Sequence, residues 1–189
     1  ANGNPQAPLA VDATYTVGQN LCDLVVDSAG QRLYVTDDGP ERLLVLDGST
    51  GQQTRQYDLH DSLCSIALDQ PGQTIYAPTW HRAGPARYDG SQIQAIKLDT
   101  GVITTYAADQ FPSGPFLDPQ RHVLYAGNTA QPTLVAIDTT SKAVLSLPAT
   151  ARINRVAVSS KNGRLYLTSP DDNKVLVYDL TVGKVVTTL

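Results

Sequence analysis

Residues 24–47 read LVVDSAGQRLYVTDDGPERLLVLD, and residues 156–179 read VAVSSKNGRLYLTSPDDNKVLVYD. The two stretches have the same length and the same plan. An apolar run meets a polar turn, then Arg-Leu-Tyr, a second polar turn, and an apolar run closed by aspartate. The runs are short and rich in Val, Leu and Tyr, and Gly, Asn and Asp punctuate them. That is the pattern of closely spaced β-strands, and nowhere in the chain does helical periodicity last three turns.

Working outward, two further units follow the template between these stretches. Tyr34, Tyr76, Tyr125 and Tyr166 align at spacings of 42, 49 and 41 residues. Asp47, Asp99, Asp138 and Asp179 align at the close of each third strand. The units cover about residues 20–59, 62–107, 112–149 and 152–189, each with four strands, A to D. A period near 42 with four short strands per unit marks a β-propeller. The expected fold is therefore all-β, with about four blades of four antiparallel strands in a single domain or part-propeller over 1–189. PLAVDATYTVGQN (8–20) reads as a surplus N-terminal D strand. The closing aspartates suit Asx-turns, accepting backbone N–H bonds. Val25, Leu33, Val45, Ile66, Ile75, Ile96, Leu124, Val135, Val156, Leu165 and Leu176 alternate toward blade interiors and are expected to be buried.

The tetrapeptides YVTD (34–37), YAPT (76–79), YAGN (125–128) and YLTS (166–169) occupy one place in the four units. With the preceding VAVSSKNGR and LVVDSAGQR they resemble the YVTN-type β-propeller repeat family, a WD-repeat-like propeller, over residues 20–189. The resemblance implies the fold. It leaves function open, because that family includes surface-layer and secreted proteins and related propellers host both enzymes and binding modules. About seven blades is usual there, and this chain carries fewer. The chain is thus a part of a longer propeller, half of an eight-bladed ring formed by a homodimer, or a small ring closed alone. The apolar blade faces favour pairing or further sequence over an open arc.

Net charge is -4 and the pI about 5.2, which argues against nucleic acid as a partner. No apolar run approaches the roughly 18 residues of a membrane span. The opening ANGNPQAPLA suits a trimmed N-terminus, and equally a segment excised from a longer chain. With scarce lysine and abundant Gln, Thr, Asp and Ser, the sequence reads as a bacterial protein that is secreted, periplasmic or at the cell surface.

In WD-repeat-like topology the D–A and B–C connections share one face. There YDLHDSLC (57–64) brings His60, Asp61 and Cys64, and TWHRAGPARYDGS (79–91), read as a B–C loop, brings Trp80, His81, Arg82, Arg87, Tyr88 and Asp89. Loops on a rigid scaffold commonly carry function, so Trp80, His81, Arg82, Arg87, Tyr88, His60 and Asp61 form the candidate binding set. The bland reading makes Trp80 a blade cover and the arginines solvated. Cys22 and Cys64 hold equivalent places on neighbouring A strands, where Ser113 and Asn154 stand in the other units. They read as a disulfide, as two buried thiols, or as part of a soft metal site with His60 or His81. His122 falls on the opposite face. Asp37–Asp38 and Asp171–Asp172 read as solvated B–C acids.

Metal, phosphate-loop and nucleophile-elbow motifs are missing from the sequence. No catalytic residue, metal ligand or cofactor is assigned. The leading expectation is a noncatalytic binding or scaffold module for a partner protein, glycan or surface component. The alternatives are a metal-dependent lactonase- or lyase-like enzyme, for which Asn128 and Asn154 are the channel candidates, and a structural surface-layer module.

Overall fold

The computed structural model describes residues 13–84, 87–108 and 111–189. Among these residues, sixteen strands form four four-stranded antiparallel sheets in simple chain order. Blade 1 comprises β1 (Leu21–Asp27), β2 (Arg32–Asp37), β3 (Arg42–Asp47) and β4 (Gln53–Asp58). Blade 2 comprises β5 (Ala67–Asp69), β6 (Thr74–Gly84), β7 (Arg87–Lys97) and β8 (Ile103–Ala107). Blade 3 comprises β9 (Pro112–Asp118), β10 (Val123–Asn128), β11 (Thr133–Asp138) and β12 (Val144–Pro148). Blade 4 comprises β13 (Arg155–Ser159), β14 (Arg164–Ser169), β15 (Lys174–Asp179) and β16 (Lys184–Thr188).

Turn chemistry sets the repeat. At the A–B turns, Asp27, Asp69 and Asp118 accept the N–H groups of Gly30 (2.9 Å), Gly72 (3.1 Å) and Gln120 (3.0 Å). Blade 4 has Ser159 there and makes a 3-10 turn over Ser160–Asn162 instead. Gln31, Gln73, His122 and Gly163 then take left-handed conformations, with φ of 51°, 45°, 55° and 61°.

The C–D turns correct one sequence alignment. Gly51, Gly101, Lys142 and Gly183 are left-handed. Their N–H groups return to the carbonyls of Asp47, Lys97, Asp138 and Asp179 at 2.8, 2.8, 2.8 and 2.9 Å. Lys97, not Asp99, is therefore the counterpart of the closing aspartates. The left-handed residue, most cheaply a glycine, fixes the turn register. The carboxylate is an addition where it occurs. Asp47 receives the N–H groups of Ser49 and Thr50 at 3.0 and 2.8 Å, and Asp138 those of Thr140 and Ser141 at 2.8 and 2.7 Å.

Packing runs in one direction around the arc. Tyr34, Leu43, Val45 and Tyr57 of blade 1 bury against Ile66, Ile75 and Ile96 of blade 2. Tyr76 and Ile93 of blade 2 meet Leu124, Val135 and Ile137 of blade 3. Tyr125 and Leu134 of blade 3 meet Val156, Leu165, Leu167, Leu176 and Tyr178 of blade 4. Each aligned tyrosine thus faces the next blade. Tyr166, in the last described blade, is only half-buried. Of the residues expected inside, Val25 and Leu33 are half-buried and the others buried.

The terminal faces differ from the interior ones. On the outer face of blade 1, Leu24 and Val26 are 56% and 59% exposed. No core cluster joins blade 4 to blade 1 among the described residues. The expected N-terminal strand does not form over residues 13–18, and residues 8–12 lie outside the described residues. Val17 instead packs on Val35, Leu44 and Leu46. A D strand needs the edge of a C strand, and in this chain β3 already pairs with β4.

Candidate functional site

The face bearing the D–A and B–C connections is dominated by blade 2. The stretch read as a long B–C loop is instead β-structure. β6 and β7 are eleven residues each and pair from Thr74↔Lys97 out to Gly84↔Arg87. The register shifts at Trp80/Arg82 and Arg82/Gly84, so the arm is bulged. Thr79, Trp80 and Tyr88 favour extended backbone, and a two-stranded arm satisfies backbone groups that a loop would leave to water.

The arm is tied at its base. Ser62, in the D–A connection, pairs with Trp80 through reciprocal backbone bonds of 2.9 and 3.0 Å. Asp61 beside it is 6% exposed. Its carboxylate accepts Gln92 Nε2 at 2.7 Å, Gln94 Nε2 at 3.0 Å and Thr79 Oγ1 at 3.4 Å, and meets His81 Nδ1 at 3.1 Å. A buried carboxylate with that many donors is a satisfied structural hub. It also orients the His81 ring, whose side chain is 63% exposed. Asp–His pairing of this kind belongs to nucleophile-activating triads as well, but the Ser62 hydroxyl donates to Asp38 Oδ1 at 2.6 Å.

The structure brings Asp61, His81 and Trp80 together. His60 is exposed and left-handed (φ 59°), and its imidazole makes no hydrogen bond among the described residues. The backbones of Arg82, Arg87 and Tyr88 lie on the arm; their side chains, and that of Asp89, lie outside the described residues. Gln92 and Gln94 escaped sequence reading. Their signal was two amides, two residues apart, on one face of a strand otherwise rich in isoleucine.

Cys22 and Cys64 are disulfide-bonded, with Cα atoms 4.9 Å apart. A carboxylate oxygen of Asp38 lies within 4.8 Å of both sulfurs, a donor set that a soft metal takes only when the thiols are reduced. Asp38 itself stitches blades 1 and 2, accepting the Leu63 N–H at 2.9 Å besides Ser62.

The paired acids are not solvated at the first site. Asp37 accepts the N–H groups of Gln19 and Asn20 at 3.1 and 2.9 Å and the Arg42 guanidinium at 3.0 Å. Burial opposes its ionisation, yet those backbone donors and Arg42 together hold its carboxyl below the usual range. Asp171 pairs with Arg152 on the surface.

No family model and no curated protein matches the chain. Solved structures do. The nidogen/laminin complex includes a chain of 20% identity and TM-score 0.72, matched over 88% of this chain and 62% of its own. Hydrazine synthase of Kuenenia stuttgartiensis gives 15% identity and TM-score 0.74, over 95% of this chain and 52% of its own. The chain thus spans between about half and three-fifths of these neighbours. At such identities the likeness shows the fold, a β-propeller.

Proposed function

We propose that the chain is a noncatalytic, YVTN-type propeller module that binds a partner protein through the D–A/B–C face. The observation that carries this is the blade 2 arm. A strand pair far longer than its counterparts, anchored on buried Asp61, presents His81 at the surface. Trp80, His81, Arg82, Arg87, Tyr88, His60 and Asp61 form the proposed contact set, and a hydrogen-bonded strand pair limits the ordering cost of binding. One neighbour of this fold is a protein–protein complex by its description, which supports a protein over a glycan. The disulfide suits a secreted or periplasmic location, and no helix of the described residues is long and apolar enough to cross a membrane. The exposed Leu24 and Val26 on the outer face of blade 1 support completion of an eight-bladed ring by a second copy.

The test is site-specific photocrosslinking on the surface of producing cells. A photoreactive residue at position 81 should yield one dominant adduct, lost on Trp80→Ala. The same residue at exposed Val182, in a C–D turn on the opposite face, should not. Equal products from both positions, or none from position 81, would overturn the reading.

A further inference from the structure

Opposite the arm, blades 1 and 2 part around a cavity of about 680 Å3. That size falls within the roughly 300–1,000 Å3 typical of small-molecule sites. Its mouth is framed by the A–B and C–D turns of both blades, and Tyr34 and Tyr57 stand in its walls.

The polar groups there are balanced and partly uncommitted. Arg32, Arg55, Asp47 and Asp99 all line it, Arg32 and Asp47 as cross-strand partners on β2 and β3. Arg55 is fixed in place: its Nη1 donates to the Leu98 carbonyl at 2.8 Å, and its guanidinium stacks 4.7 Å from the centre of the Tyr57 ring. The Tyr57 hydroxyl donates to the same carbonyl at 2.7 Å. The Arg32 guanidinium has no hydrogen bond or ion pair among the described residues. Asp47 and Asp99 each use Oδ1 within their own turns. The second observation is Tyr34. It is 1% exposed, and its buried hydroxyl has no hydrogen-bond partner. A phenol both donates and accepts, and a buried one is rarely left unpaired.

We propose that this cleft is a second binding site, for a neutral, hydroxyl-rich ligand: a short saccharide. An anion would meet Asp47 and Asp99, and a cation would meet Arg32 and Arg55. A saccharide hydroxyl donates and accepts at once, so it uses both sets. Vicinal hydroxyls fit the forked geometry of guanidinium and carboxylate. The Tyr34 hydroxyl gains its partner from the ligand. The site is separate from the arm face and does not depend on the partner proposed for it.

Calorimetry and thermal shift on the purified chain test this. The probes are maltose, cellobiose, lactose, chitobiose, mannobiose and their trimers, with citrate and inorganic phosphate as anionic probes. At least one neutral saccharide should bind and raise Tm. Arg32→Ala should weaken that binding at least tenfold. Tyr34→Phe should weaken it several-fold without lowering the ligand-free Tm, since it removes a hydroxyl that has no partner. His81→Ala on the other face should leave it unchanged. Several results would overturn the proposal: no saccharide binding at millimolar concentration, anion binding in its place, indifference to both cleft variants, or loss with His81→Ala.

Discussion

Cys22 and Cys64 meet across the first two blades with their Cα atoms 4.9 Å apart, and the two equivalent residues of the last two blades meet at the same place. There the Ser113 hydroxyl donates to the Asn154 carbonyl at 3.0 Å. Position five before the A–B turn is thus a blade-to-blade contact, covalent in one half of the chain and a hydrogen bond in the other. The bridge closes a long loop, with a sequence separation of 42. Its loss should cost roughly 2–4 kcal/mol. Urea unfolding of Cys22→Ser/Cys64→Ser, and of the wild-type chain with reductant, should show matching drops in midpoint. No drop would make the bridge dispensable.

Acid should unfold the protein by a defined route. Asp37 and Asp118 are fully buried carboxylates. Burial opposes the charge of each, and the surrounding donors overcome it: Asn20, Gln19 and Arg42 for Asp37, Arg121 and Ser160 for Asp118. Both folded values lie below the unfolded value of about 3.9. Their stabilisation is therefore complete above that value and is lost as pH falls through the lower folded ones. The urea midpoint should be flat from neutral pH to about 5 and fall steeply below about 4. Asp37→Asn should cost about 2–3 kcal/mol at neutral pH, less than a wholly buried pair, because Arg42 keeps some solvent. It should also flatten the acid limb. A midpoint that rises on acidification would refute the assignment.

The repeat was legible because every blade must bury the same two faces, which forces alternation at Tyr34, Tyr76, Tyr125 and Tyr166. Register within turns was less legible. Asp99 carries the expected side chain, yet Lys97 holds its place, since the left-handed Gly101 decides the turn. The arm was read as a loop because Gly84, Pro85 and Gly90 punctuate it like one. Cross-strand pairing and the bond to Ser62 are non-local and leave no periodic trace. Asp38 looked solvated for a similar reason: its partners, Ser62 and Leu63, come from the next blade.

Asp61 is the hinge between fold and site. Asp61→Ala removes the acceptor for two glutamine amides and the positioner of His81. Leaving such buried donors unpaired costs about 1–3 kcal/mol, so Tm should fall modestly. Crosslinking from position 81 should fall much further, because the arm loses its tether. His81→Ala, by contrast, should leave Tm unchanged. If Asp61→Ala kept full crosslinking, the Ser62–Trp80 bonds and the strand pairing would suffice to hold the arm, and Asp61 would not be its anchor.

The uncovered faces predict self-association. The two template stretches match at a fixed offset, which pairs Leu24, Val26, Leu33 and Leu44 with Val156, Val158, Leu165 and Leu176. The second set is packed against blade 3; in the first, Leu24 and Val26 remain exposed. Likewise Ala157, Tyr166 and Val177 correspond to Val25, Tyr34 and Val45, which pack against blade 2. The free end of blade 4 therefore corresponds to the face blade 1 packs on its neighbour; on the free end of blade 1, Leu24 and Val26 stand exposed where blade 4 packs on blade 3, while Leu33 and Leu44 are already covered in part by Val17. A second copy joining head to tail at both ends would give a closed ring with two-fold symmetry. Covering a few hundred Å2 of apolar surface at each joint, at ~25 cal/mol per Å2, contributes several kcal/mol before association costs. Light scattering should give about twice the 20.2 kDa chain mass. Leu24→Asp, at an exposed position, should return a folded monomer of unchanged circular dichroism. A monomeric wild-type chain at micromolar concentration would sink the pairing, and a dimer indifferent to Leu24→Asp would place the interface elsewhere.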